Sequence, residues 1–153
     1  MSTLPENYER FQKNELWNSY LATDYVVSDG EVHFEIGIGS KNRELAEFLA
    51  TNTLTKWAFL TAYNPYSIEL TDEDNQRPQR ILFDRLREAG YSFLHGYGKS
   101  RYQDWPPEPS VLVLGISPEK AVELGRAFQQ NAIVTGSSDK PAELVWCQKS
   151  IKD

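Results

Sequence analysis

Residues 56–65, KWAFLTAYNP, decide the fold that this sequence predicts. The first eight residues are almost all apolar, which is typical of a strand that is buried on both faces. Asn64-Pro65 ends the strand, because the residue before a proline is disfavoured in helical geometry and proline donates no ladder hydrogen bond. We therefore predict a central strand over residues 56–63 and a turn directly after it.

The residues after this turn continue the pattern of a small α+β fold. Pro78 is tolerated only in the first turn of a helix, so the next helix is predicted to begin near Asn75 to Arg77. The predicted elements are a helix at 75–89, strands at 91–97, 110–116 and 132–135, and a helix at 117–129. This βαββαβ order over residues 56–136 predicts a ferredoxin-like sandwich, in which an antiparallel sheet ordered 4-1-3-2 has both helices on one face.

The remaining residues are predicted to add elements to this core. The N-terminal extension, residues 1–55, predicts a helix at 5–21, a β-hairpin around Asp29-Gly30 and a helix at 42–50. Residues 142–147 predict a closing strand. We therefore expect a single α+β domain over residues 1–153.

Composition restricts the classes of protein to which the chain can belong. The 153 residues are 40% hydrophobic and 12% aromatic, which favours a packed domain, and no apolar run reaches the roughly 20 residues of a membrane helix. The net charge of −6 argues against binding to duplex nucleic acid. We expect no secretory signal, because no basic region followed by an apolar one opens the chain. With Cys147 as the single cysteine, we expect a cytoplasmic protein.

Four polar clusters fall at the ends of the predicted elements. They are Asn64-Pro65, Asn75 with Arg77 and Arg80, residues 105–110 (WPPEPS), and residues 129–131 (QQN). In a ferredoxin-like arrangement the first and second strands end, and the third and fourth begin, at one end of the sheet, which we call the upper end. The sequence therefore predicts that the four clusters meet there.

The same clusters resemble motifs of a bacterial family of unknown function, DUF3293. The similar motifs are Thr61-Ala62-Tyr63-Asn64-Pro65, Asn75 with the arginines after it, Trp105-x-x-Glu108-x-Ser110, and Phe128-Gln129-Gln130. The resemblance covers roughly residues 57–134. It implies a soluble bacterial protein and carries no established activity.

Each candidate residue has a functional and a structural interpretation. Asn64 offers an amide to a ligand or only closes a turn, and Gln130 offers an amide or only ends a helix. In the functional interpretation, Asn75 caps a helix whose first amide groups bind an anion, and Arg77 or Arg80 also contacts that anion. In the structural interpretation, Asn75 is only a cap and the arginines are solvated.

The segment from Trp105 to Ser110 is the strongest candidate. Its prolines stiffen the loop, the ring of Trp105 stacks on a planar or cationic group, and Glu108 is the one candidate general base. In the structural alternative, Trp105 packs over the sheet and Glu108 forms an ion pair with Arg77 or Arg80.

Two functions from different classes follow from these residues. The first is a binding or regulatory module for a small anionic or amide-bearing ligand, with Asn64, Asn75, Arg77, Arg80, Trp105, Glu108, Ser110 and Gln130 as contacts. The second is a small hydrolase or transferase with Glu108 as general base. A third possibility is a protein-partner surface on the N-terminal helix, where Trp17 and Tyr20 cover the sheet or face another subunit. No cofactor is predicted, and the wide separation of His33 and His95 argues against a metal site.

Overall fold

The structure, a computed structural model, describes residues 8–103 and 105–148, with side chains from Glu15 onward. Residues 5–7 of the predicted first helix lie outside the described residues. The elements are α1 Tyr8–Leu21, β1 Thr23–Asp29, β2 Val32–Ile36, α2 Arg43–Thr51, β3 Lys56–Leu60, α3 Asp72–Glu88, β4 Phe93–Ser100, β5 Glu108–Leu114, α4 Pro118–Ala127, β6 Ala132–Ser137 and β7 Lys140–Trp146.

The seven described strands form one antiparallel sheet in the order β2-β1-β4-β5-β3-β6-β7. The α+β prediction is confirmed, and the four strands predicted as the core are neighbours in the expected order β6-β3-β5-β4. The N-terminal hairpin pairs with β4 and the last strand pairs with β6. Both additions therefore extend the central sheet.

The sheet curls until its two edges touch. Ile38, just after β2, forms a parallel bridge with Ala142 of β7. The N–H of Gly39 donates to the carbonyl of Ala142 over 2.7 Å, and the N–H of Ala142 donates to the carbonyl of Ser40 over 3.0 Å. Because backbone bonds join the edges, the sheet encloses a concave face and leaves a convex one outside.

Each face of the sheet packs its own helices. On the convex face, Leu82 and Leu86 of α3 and Ala121 of α4 are buried against alternate residues of the central strands. On the concave face, Leu45 and Leu49 of α2 are buried against the other set of alternate residues. The period-2 alternation of the strands thus divides the core in two. None of the described helices has the length and apolarity needed to cross a membrane.

The start predicted for α3 is wrong by one turn. The helix begins at Asp72, and the hydroxyl of its N-cap Thr71 accepts a hydrogen bond from the N–H of Asp74 over 3.1 Å. Three acidic residues in the first turn, at 72–74, favour this earlier start through the helix dipole. Pro78 therefore lies in the second turn, where it leaves the carbonyl four residues earlier without its usual donor.

The connection between the predicted strands 91–97 and 110–116 is shorter in the structure. Strand β4 continues to Ser100 and strand β5 begins at Glu108, because Gly98 pairs with Glu108 and Tyr97 with Pro109. Proline is accepted here since it lies at the beginning of its strand. As a result, Glu108 projects from a strand rather than from a loop.

Candidate functional site

A cavity of about 320 Å³ opens at the upper end of the sheet, on its concave side. The strand ends coincide there, since Leu60 of β3 pairs with Val111 and Thr23 of β1 pairs with Ser100 of β4. Five of the predicted site residues line the cavity, namely Asn64, Trp105, Glu108, Ser110 and Gln130. Aromatic side chains form much of the remaining wall, namely Tyr20, Tyr25, Phe59 and Tyr102.

Side chains replace the sheet ladder where the chain leaves β3. The N–H of Ala62 donates to Oε1 of Gln79 over 2.8 Å, and the N–H of Tyr63 donates to Oγ1 of Thr61 over 3.0 Å. The N–H of Asn64 donates to Oδ1 of Asn75 over 2.8 Å. Three consecutive backbone donors are therefore satisfied by side chains, which explains why β3 stops at Leu60 although apolar residues continue.

The orientation of the Asn64 amide is fixed by its neighbours. Its Oδ1 accepts from the backbone N–H of Leu70 over 2.9 Å and from Nδ2 of Asn75 over 2.8 Å. Since a backbone N–H can only donate, the opposite end of the amide must be the NH₂ group. That group donates to Oε2 of Glu108 over 2.8 Å. The buried pair Asn64 and Asn75 thus holds one N–H against the carboxyl group in the cavity wall.

Burial raises the pKa of Glu108, while the hydrogen bonds from Asn64 and Trp105 act in the opposite direction. A carboxylate has about four acceptor positions, and these two donors use part of them. The remaining lone pairs are available to a group inside the cavity. Among the described contacts, Glu108 is therefore a partly desolvated acceptor whose side-chain donors are Asn64 and Trp105.

The segment that follows Asn64 is strained. Asn64, Tyr66 and Ser67 have φ angles of 50°, 57° and 62°, in the left-handed region that non-glycine residues rarely adopt. The N–H of Tyr66 donates to the carbonyl of Gln129 over 2.7 Å, and Nδ2 of Asn131 donates to Oγ of Ser67 over 2.8 Å. Such conformations persist where neighbouring groups fix them, and they occur often at functional sites.

Ser110 and Gln130 line the cavity but also have structural bonds. The hydroxyl of Ser110 donates to the backbone carbonyl of Glu108 over 2.9 Å. Nε2 of Gln130 donates to the carbonyl of Tyr63 over 3.0 Å and to that of Phe128 over 3.3 Å. These contacts tie the start of β5 and the end of α4 to the same wall.

Helix α1 closes one side of the cavity. Trp17 and Tyr20 pack on Trp146, with ring centroids 5.5 and 6.2 Å apart. The phenol oxygen of Tyr20 also lies 3.2 Å from Oγ of Ser67. Of the two positions expected for these aromatic residues, the structure therefore has the one in which they cover the sheet.

The three other predicted site residues do not line this cavity. Asn75 is buried inside α3 and supports Asn64, so it is not the N-cap residue that the sequence predicted. Arg77 and Arg80 are exposed, and Arg80 lines a second, open cavity of about 350 Å³ on the convex side, together with Gln79 and His95. The hydrogen bonds described for Glu108 come from Asn64 and Trp105, so the expected ion pair with Arg77 or Arg80 does not form.

The charge of the cavity wall is one-sided. Glu108 is its one carboxylate, and no lysine, arginine or histidine lines it among residues 8–103 and 105–148. The nearby Arg101 donates to Oδ1 of Asp24 over 2.9 Å in an exposed ion pair. Within the same ranges, no three histidine, cysteine or acidic side chains are grouped so that they could hold a metal ion.

Sequence reasoning missed Gln79 and the aromatic wall. Gln79 lies one turn after Asn75 on α3, and i, i+4 spacing puts both amides on one helix face. The alternation Tyr25, Val27 in β1 indicated which side chains point into the concave core. This alternation does not by itself place Tyr25 at the site, because the hairpin is predicted only as an addition to the core.

Comparison with known families gives one match. The model of a family described as a protein of unknown function, DUF3293, matches residues 60–133, just under half of the chain. The resemblance inferred from the motifs is thereby confirmed for this segment. Comparisons with curated proteins and with solved structures find no match.

Proposed function

We propose that this protein is a small-ligand-binding module whose site is the cavity at the upper end of the sheet. The observation that carries the proposal is the carboxyl group of Glu108, partly buried and hydrogen-bonded by Asn64, in the wall of a cavity that five aromatic residues help to line. A concave apolar pocket with a few convergent polar groups is the usual form of a ligand site. The ligand would have an apolar body and a group that donates a hydrogen bond.

The two ligand classes expected from the sequence are not equally supported. An amide-bearing ligand has N–H groups that suit the unused lone pairs of Glu108. An anionic ligand would meet this carboxylate without a cationic partner in the described wall, and Arg77 and Arg80 lie outside it. We therefore favour a donor-bearing ligand over an anion.

Two exposed rings at the cavity support binding there. Tyr102 is 77% exposed and Trp105 is 39% exposed, although both line the cavity. Burying an aromatic side chain stabilises a complex by roughly 1.5–3 kcal/mol per ring. A ligand seated beside Glu108 would gain a fraction of this energy by covering the parts of the two rings that are exposed.

A blocked-cavity variant tests the proposal. Gly98 lines the cavity, and a Cβ added there would lie 3.5 Å from Cγ2 of Thr23, which is an ordinary contact. Gly98→Leu therefore fills the cavity without a backbone clash, and Gly37→Leu, at a residue that does not line it, is the matched control.

The measurement is the unfolding temperature in the presence of a panel of neutral amides, amines and carboxylates. We expect some amides or amines to raise it for the native protein and for Gly37→Leu, because a ligand specific to the folded state stabilises that state. Gly98→Leu should not respond. A panel without effect, or an equal response from Gly98→Leu, would contradict the proposal.

The second candidate function is a small hydrolase or transferase. The observation that favours it is the raised pKa of Glu108, which brings a carboxyl group closer to the range of a general base. The hydroxyls of Thr61 and Ser110 both donate to backbone carbonyls, so Glu108 would activate water or a substrate group. Glu108→Gln should then abolish turnover while sparing affinity.

Three further assignments remain our proposals. The neighbour order of β3 to β6 supports a ferredoxin-like kernel within the larger sheet. The contribution of α1, β1 and the central strands to one cavity supports a single domain over residues 1–153. A bacterial and cytoplasmic origin rests on the family resemblance and on the sequence.

A further inference from the structure

We infer that the ligand of this cavity is a small organic ammonium ion, with its charge against the carboxylate of Glu108 and its apolar body against the aromatic wall. The inference rests on the proposed function and deepens it from a donor-bearing ligand to a cation. It is carried by the composition and geometry of the wall.

The hydrogen bonds to Glu108 favour a cationic ligand. The NH₂ of Asn64 and the side chain of Trp105 both donate to the carboxyl group. The Asn64 amide cannot rotate to offer its oxygen, because that oxygen already accepts from Leu70 and Asn75. Both described partners therefore favour the ionised form, and the carboxylate lacks a counter-charge on the cavity side.

The aromatic residues in the cavity wall also favour a cationic ligand. Tyr25 and Phe59 lie edge to face with centroids 5.3 Å apart, and the cavity is also lined by the exposed rings of Tyr102 and Trp105. The face of an aromatic ring attracts a cation, more strongly when water is excluded. A neutral ligand would gain the apolar contact and a hydrogen bond to Glu108 but no cation–π attraction, so the combination of rings and a carboxylate discriminates in favour of positive charge.

The charges around the cavity also favour a cationic ligand. Four of the six residues 69–74 are acidic, and they flank Leu70, whose N–H donates to Oδ1 of Asn64 in the wall. The described wall itself contributes no lysine, arginine or histidine. With a net charge of −6, the protein as a whole attracts cations and repels anions.

Three probes of matched shape separate charge from apolar contact. They are benzylammonium, benzyl alcohol and benzoate, each titrated by NMR into the native protein. We expect benzylammonium to bind about tenfold or more tightly than benzyl alcohol, and benzoate to bind weakest. Equal or tighter binding of the alcohol would overturn the ammonium inference and leave the binding module intact. Binding by none of the three would contradict the ammonium inference, while the binding module itself is tested by the panel that includes neutral amides.

Glu108→Gln is the matched variant, because glutamine has the same shape and can still accept from Asn64. It should lose about tenfold or more in affinity for benzylammonium, with the affinity for benzyl alcohol changed less than about twofold. Glu73→Gln removes the same charge at an exposed position and should preserve the preference. An unchanged preference in Glu108→Gln would refute the role of its carboxylate.

Proton release gives a readout that needs no substitution. The titratable groups that interact with Glu108 are the phenols of Tyr25 and Tyr63, whose pKa values are themselves raised, so they stay neutral at mildly acidic pH. Burial raises the pKa of Glu108, and a bound ammonium would lower it again. Calorimetry of benzylammonium in two buffers with different ionisation enthalpies should therefore detect proton release below neutral pH. Proton uptake would contradict the inference.

Discussion

The two sides of the sheet at its upper end use polar side chains in opposite ways. On the concave side, Asn64 donates to Glu108, and Asn64 is itself held by the buried Asn75 of α3, so these hydrogen bonds have little contact with solvent. On the convex side, Arg77 and Arg80 project from α3 into solvent. All five residues belong to clusters that lie at element ends in the sequence.

The position of a residue along a helix or strand is therefore not enough to identify a functional site. The side chain must also point to the concave side, where the curled sheet and α1 exclude water. A polar group there loses hydration and must find partners, so it acquires a fixed orientation and a perturbed pKa. A polar group on the outer face of α3 keeps its water.

The largest effect on stability is expected from a substitution of Asn75. Asn75→Ala removes the acceptor of the Asn64 N–H and one donor to the Asn64 side chain, all of them buried. We expect the free energy of unfolding to fall by about 2–4 kcal/mol, because buried groups are left without partners. Urea denaturation measures this, with Gln76→Ala, its exposed neighbour, as the control. Equal effects of the two substitutions would show that the amide pair is unimportant.

The burial of Glu108 should make the stability of the protein depend on pH. Its pKa is raised above the ordinary 4.5, so the folded protein binds this proton more tightly than the unfolded chain does. The contribution of Glu108 to stability is therefore present below pH 4.5 and is lost as pH rises through the raised pKa.

Glu108→Gln removes this dependence, so the stability of the native protein relative to the variant should decline from pH 4 toward pH 7. Denaturation curves at several pH values measure the difference. A difference that increases with pH would mean that the ionised carboxylate is stabilised by a partner absent from the described contacts.

The smallest effects are expected on the convex side. Arg77→Ala and Arg80→Ala should each change the free energy of unfolding by no more than about 0.5 kcal/mol, since both side chains are exposed. Neither should alter the affinity for benzylammonium by more than about twofold, because neither lines the cavity. A tenfold change in either variant would move the candidate site toward the second cavity.

Much of this architecture could be predicted from local patterns. The apolar run at 56–63, the proline that follows Asn64 and the pattern of the helix predicted at 117–129 indicated the order of the core elements. The neighbour order of the strands then followed from that element order. The convergence of Asn64, Trp105, Glu108, Ser110 and Gln130 on one cavity is a consequence of the same topology.

The rest depends on contacts between segments that are distant in the sequence. Thr71 rather than Asn75 caps α3, because three acids and a hydroxyl outweigh the cost of a proline in the second turn. The curl of the sheet requires Ile38 to meet Ala142, about a hundred residues away in sequence. Without the curl, neither the aromatic wall nor the division between Glu108 and the arginines could be inferred.

Backbone NMR during titration with benzylammonium, benzyl alcohol and benzoate tests the central claim most directly. Three distant segments should respond together to any probe that binds, with shifts at the amides of Asn64, Ser110 and Gln130 and at the indole N–H of Trp105. The amides of Arg77 and Arg80 should stay in place. Shifts confined to Arg80 and His95, or no response of the cavity residues to any probe, would contradict the claim that the polar ends of these elements form one ligand site.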